Sequence, residues 1–275
     1  MGLKSVILAI AYREYIFFKR FFSEYVVSWV IPLLFALAIV FLPTTVASST
    51  AVTRRFSTVL GGGYSFEDIL IYSICMSAVM SIVMSIVNDL VQTLYHEYRT
   101  IGIMNVILES TSLITYVAAS AIVRSLMMGL LSTLYLVAVL PLVAGVKGLI
   151  TYLILLPALL ISSVALGLYS MVLALPLTFY LRIDRPWTVT NILSPALLAG
   201  AGLYIPIKLV PLVLKAIAYT APVPQMCEVV KVIALKGFPQ ELLPIMAVVT
   251  ALATAYSAVI TYLGKLSDVR ARRGG

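Results

Sequence analysis

Charge is what this chain has least of. Asp, Glu, Lys and Arg make up 11% of its 275 residues, against about 25% in a soluble domain, so a soluble enzyme domain is excluded. Histidine occurs once, at His96, and cysteine twice, at Cys75 and Cys227. A cysteine metal site and a disulfide framework are therefore not expected, although one bridge and two free apolar thiols both remain open readings of the pair. H-E-x-x-H and G-x-S-x-G are missing, which leaves no recognisable metal or triad chemistry, so no catalytic residue and no metal site are expected. A G-x-x-x-x-G-K-[ST] loop is missing too, and Gly61-Gly62-Gly63 lacks the Lys and Ser/Thr that would hold a phosphate.

What fills the chain instead is apolar: 62% of residues are hydrophobic, gathered into six long runs. A hydrocarbon core roughly 30 Å thick takes about 20 apolar residues per helical crossing. The expectation is an all-α, polytopic membrane protein, one domain over residues 1–275, with transmembrane helices at about 25–47, 69–94, 117–142, 152–176, 192–212 and 242–263. Before the first run, Leu3, Val6, Ile10, Phe17 and Phe21 lie near one helical face and Arg13 and Arg20 share another, the pattern of an interfacial helix over about 3–22, interrupted on its apolar side by Glu14. The charges there do not form the basic, apolar and small-residue order of a secretory leader.

The formal net charge is +8, but the basic residues are scattered between spans and form no dense patch for nucleic acid. They orient the chain instead. With the N-terminus inside, eleven fall in inner segments (Lys4, Arg13, Lys19, Arg20, Arg99, Arg182, Arg185, Lys265, Arg270, Arg272, Arg273) and seven in outer ones, a bias that places both termini in the cytoplasm of a plasma-membrane protein. Arg124, near a boundary, is expected to snorkel.

Between the first two runs, 48–68 reads as an outer loop made flexible by its three glycines, with Arg54 and Arg55 in it. The second run carries serine at 73, 77, 81 and 85, and the same step reaches Asp89; such small-residue stripes serve close helix packing more often than substrate lining. Asn88, Asp89 and Gln92 form an intramembrane polar group near its inner end, where a carboxylate is less costly than at mid-membrane. Arg182 to Trp187 marks a short cytoplasmic turn. From Gly200 to Pro244, prolines at 206, 211, 222, 224, 239 and 244 break the hydropathy pattern, so short helices dipping into the outer leaflet over about 203–231 are expected between the fifth and sixth spans.

Two segments carry a resemblance. Gly202, Pro206, Pro211, Pro222, Glu228 and Lys231 follow one another as glycine and proline, a second proline, a short apolar stretch, a third proline, then an acidic residue three before a basic one. His96-Glu97-Tyr98-Arg99-Thr100-Ile101-Gly102-Ile103, running on to Leu108, places charges and a glycine before a leucine-containing stretch. Together they resemble the ABC type 2 permeases, the membrane subunits of ATP-driven exporters, with Lys231 where arginine is usual and Thr111 and Ser112 where a proline often stands. The resemblance implies a dimer of permeases served by separate ATPase subunits that bind the ATP and magnesium, this chain holding no cofactor. It implies coupling to the ATPase through Glu97, Arg99 and Gly102, with Arg182 and Arg185 as a second contact, and outer re-entrant helices between the fifth and sixth spans; the segment holding Pro206, Pro211, Pro222, Glu228 and Lys231 is expected to line the exit as an outer gate. The alternative is an ion-coupled carrier or channel in which Asp89 binds the ion. The transported substrate and the choice between homodimer and heterodimer stay open.

Overall fold

Apolar runs of this length satisfy their backbone polar groups in lipid only as helices. A computed structural model of the chain describes residues 3–46, 48–181, 183–203, 207–237 and 240–273. Among these residues every long element is helical: α1 (Leu3–Arg20), α2 (Phe22–Val46), α3 (Ser49–Leu60), α4 (Phe66–Tyr95) continued by a π-helical turn (His96–Thr100), α5 (Met104–Ser110), α6 (Leu113–Thr133), α7 (Leu136–Phe179), α8 (Pro186–Gly200), α9 (Leu212–Ala218), α10 (Val223–Lys236) and α11 (Leu242–Arg273). Five of them, α2, α4, α6, α7 and α11, are long and apolar enough to cross a membrane.

The expected fifth span is the exception. Residues 192–212 do not form one helix: α8 begins at Pro186 and stops at Gly200, 15 residues and therefore about 22 Å, short of a roughly 30 Å core. Beyond it Gly202 has φ +85° and the chain doubles back. α9 packs on α8 so closely that a Cβ on Gly200 would overlap the backbone oxygen of Leu214 and the side chain of Ala218. Glycine is required there by the approach itself. Pro211 and Pro222 occupy the position just before α9 and α10 respectively, so short helices broken at proline are present, as expected.

The third and fourth expected spans also differ in their boundary. α6 ends at Thr133, and residues 136–143 belong to the first arm of α7, which bends sharply at Ala144 and Gly145, the latter at φ +53°. The two arms lie against each other, since a Cβ on Gly148 would meet the backbone of Leu140.

Nor is 48–68 a flexible loop. Ser48 caps α3 by accepting from Ala51 N–H, and Gly61, at φ +81°, closes it in the left-handed conformation. Ser65 and Asp68 then form a reciprocal capping box that starts α4.

α4 is the spine, in contact with α2, α6, α7, α8 and α10. In its apolar stretch 72% of residues are buried within the protein, against 17% for α2 and 11% for α11, so α2 and α11 form the rim and turn large apolar side chains such as Leu34, Leu42, Leu243 and Tyr262 outward. Asp68 and Lys147, 2.6 Å apart, join the start of α4 to the bend of α7 at the end of the bundle that carries α3. The other end carries α1 and the turns after α4 and α7.

Candidate functional site

α1 buries one face through residues four apart, Val6, Ile10 and Glu14, and packs on α6. Glu14 is not an interruption of the apolar side but its anchor. It is 4% exposed, and its Oε1 lies 2.6 Å from Nη2 of Arg124, itself 4% exposed. The contact is an ion pair without hydrogen-bond angularity. Arg124 therefore does not snorkel; its Nη1 donates to Oδ2 of Asp89 at 3.0 Å and to the hydroxyl of Thr93. It stands in the middle of α6, which packs against α1, α4 and α7.

A second arginine extends the cluster. Arg13 lies 3.5 Å from Glu14 through Nε and donates from Nη1 to Oε1 of Glu97 at 2.5 Å, while the phenol of Tyr116 donates to Glu97 Oε2 at 2.5 Å. Glu97, expected at the surface, is 4% exposed and ties α1, the π turn and α6 together. Two guanidinium groups thus face three carboxylates, and Nε of Arg124 with Nε and Nη2 of Arg13 keep no hydrogen-bond partner.

The expected polar group flanks this network. Asn88, Asp89 and Gln92 line a cavity of ≈ 470 Å³ between α1, α2, α4 and α6, together with Glu14, Glu24 and Arg124. The side chain of Asp89 is 32% exposed to it, and the amide of Asn88 donates back to the carbonyl of Met84 at 2.9 Å. The serine stripe has mixed use: Ser77 bonds the phenol of Tyr135, Ser81 is buried, and Ser85 lines this cavity.

The two expected coupling segments, far apart in sequence, meet in space. The rings of His96 and Trp187 stack with centroids 6.3 Å apart, and Tyr98 packs on Phe179 at 4.6 Å. Around them Arg99, Ile101, Gly102, Ile103, Asp184 and Arg185 are exposed, with Gly102 at φ +70° where the π turn passes into α5. Arg182 lies outside the described residues. The structure keeps Arg99, Gly102 and Arg185 on this surface and removes Glu97 from it.

The outer-gate residues are only partly assembled. Pro206 lies outside the described residues, Pro211 is exposed and Pro222 buried. Glu228 points outward from α10 while Val229 and Val230 pack inward; α10 turns its buried apolar face to α4 and α7, and Glu228 and Lys231 form no ion pair. The α9–α10 turn is held from elsewhere: Tyr256 of α11 donates to the carbonyl of Thr220 at 2.7 Å, and Tyr169 of α7 meets its hydroxyl at 3.1 Å. Cys75 and Cys227 are both buried free thiols.

Arg13, Glu14, Thr93 and Tyr116 were not singled out as site residues. The signal for Glu14 was its four-residue spacing from Val6 and Ile10, and for Arg124 its place well inside an apolar run. No family model, curated protein or solved structure matches the chain. What the fold defines is a helical, membrane-type bundle with a buried charge network at one end.

Removing Arg124 alone leaves buried Glu14 with only the longer contact to Arg13. Arg124→Met is expected to destabilise the protein by about 3–5 kcal/mol in denaturant titration of the detergent-purified chain, and Glu14→Met combined with Arg124→Met to recover part of that loss. A neutral Arg124→Met variant would show that the network is not what holds α1 on α6.

Proposed function

We propose that the chain is the membrane-spanning permease subunit of an ATP-driven exporter, working as a dimer with separate ATPase subunits that bind the ATP and magnesium. One observation carries the reading: the exposed charged segments after α4 and after α7 lie side by side, and the first of them begins with the π turn that holds Glu97, a member of the buried network. A partner pressing on Arg99, Gly102 and Arg185 would push on the π turn, and the Arg13–Glu97 and Arg124–Glu14 pairs would pass the displacement to α1 and α6. ATP-driven closure of two attached ATPases then biases two arrangements of the bundle, as a ligand shifts only states it binds unequally.

In this reading α8 with α9 forms the fifth, broken span and α9–α10 the re-entrant outer segment. α1 lies at the cytoplasmic interface, and both termini face the cytoplasm of the plasma membrane. Pro211, Pro222, Glu228 and Lys231 surround the exit, Glu228 being free to move because its helix is anchored by the opposite face. The carrier alternative is favoured by the cavity beside Asp89 and opposed by that residue's pairing with Arg124.

The decisive test is copurification in mild detergent. An ATPase subunit is expected with the native chain, and Arg99→Glu with Arg185→Glu should weaken its retention about tenfold or more while membrane insertion is unchanged. Loss of neither binding nor ATP-driven export would assign those residues to solvation, and transport driven by an ion gradient without any ATPase would favour the carrier.

Orientation is read by labelling intact cells with a membrane-impermeant maleimide. Gly63→Cys should react and Lys265→Cys should not, Cys75 and Cys227 being buried; reaction at 265 would invert or break the topology.

At the exit, Glu228→Ala should alter export and leave assembly with the ATPase intact. Full export in that variant would remove the gate role.

A further inference from the structure

A second cavity, of ≈ 380 Å³, lies in the half of the bundle that carries α3. It falls within the size range of ligand pockets. α2 contributes Phe35 and Ile39, α3 contributes Phe56 and Val59, and Gly202 and Leu203 close one side. α4 supplies Met76 and Met80, deformable side chains suited to irregular apolar ligands, with the hydroxyls of Ser73 and Ser77. Among the described residues the lining holds no carboxylate, and its one charged group is Arg55.

That arginine differs from Lys147 and Lys236 in the same half. Lys147 pairs with Asp68 and Lys236 with Glu241, whereas Arg54 and Arg55, both exposed on α3, form no ion pair with any described carboxylate. α3 is capped at both ends, which fixes the backbone from which Arg55 reaches the cavity. Apolar walls joined to one uncompensated guanidinium match a molecule that is apolar along its length and anionic at one end.

We propose that this cavity binds an anionic amphiphile, its head group at Arg55 and its tail between α2 and α4 against Met76 and Met80. The inference concerns binding and stands whether or not the chain is an exporter subunit. The ligand chemistry is shared by an anionic bilayer lipid and by a free amphiphile such as a fatty acid.

The test uses the full chain in nanodiscs of phosphatidylcholine, probed with palmitic acid bearing a photoreactive diazirine and with the matching uncharged hexadecanol. Saturable labelling of α2 and α4 at Phe35, Ile39 and Met76, competed by unlabelled palmitate, is expected. Arg55→Ala should weaken the acid about tenfold and leave the alcohol unchanged, one charge-assisted contact being worth about that factor. Met76→Trp should fill the cavity and abolish saturable labelling by both, and an unchanged elution profile and thermal midpoint would show that each variant folds. Adding phosphatidylglycerol separates the sources. Displacement of the palmitate probe with retention of phosphatidylglycerol in native mass spectrometry supports a resident lipid, and retention of palmitate in its presence supports a free amphiphile. Non-saturable labelling spread over the outward faces of α2 and α11, or equal loss of acid and alcohol in Arg55→Ala, overturns the proposal.

Discussion

A guanidinium held inside a helical bundle dictates much of this architecture. Arg124 sits on the buried side of α6, and an unpaired charge there would be several kcal/mol out of balance. That charge is met by carboxylates from two other helices, Glu14 from α1 and Asp89 from α4. A shift of either helix would then separate an ion pair. Because Arg13 continues the chain of contacts to Glu97 and Tyr116, the same requirement places the π turn after α4 and thereby the exposed segment that follows it.

The seam between α2 and α4 opens differently at its two ends. Toward α1 it widens into a cavity bounded by Glu14, Glu24, Asp89 and Arg124, and toward α3 into one bounded almost wholly by apolar side chains. Serines four apart on α4 span both, Ser73 and Ser77 facing the apolar cavity and Ser85 the polar one. Small side chains on one face let α2 approach α4 between the cavities. The stripe therefore serves helix packing and cavity lining at different depths, and a choice between those roles was too coarse.

Some of this was legible from local pattern alone. Apolar runs of span length announce helices wherever they lie, and prolines at 211 and 222 interrupt them by removing a donor and by steric conflict with the preceding turn. α3 was missed although Ser48, Gly61 and the Ser65–Asp68 box punctuate it, because glycine-rich punctuation was read as flexibility. The fifth span was overextended because hydropathy does not register that α9 folds back on Gly200. Glu97 was placed in water because charge after an apolar run ordinarily lies there, and its partner Arg13 stands 84 positions away.

The amino-acid sequence by itself determined that the chain is helical, that it holds long apolar runs suited to a bilayer, and that most of its charge lies between them, since each follows from composition and period within a window of residues, while the count of five membrane-length helices in place of the six expected came from the structure. Only the tertiary structure decided which charges are buried and with whom, which turns share a surface, and where cavities lie. Those are relations between residues distant in the chain, and an ion pair or a cavity wall has no local signature: Arg124 would read the same beside Glu14 as beside lipid.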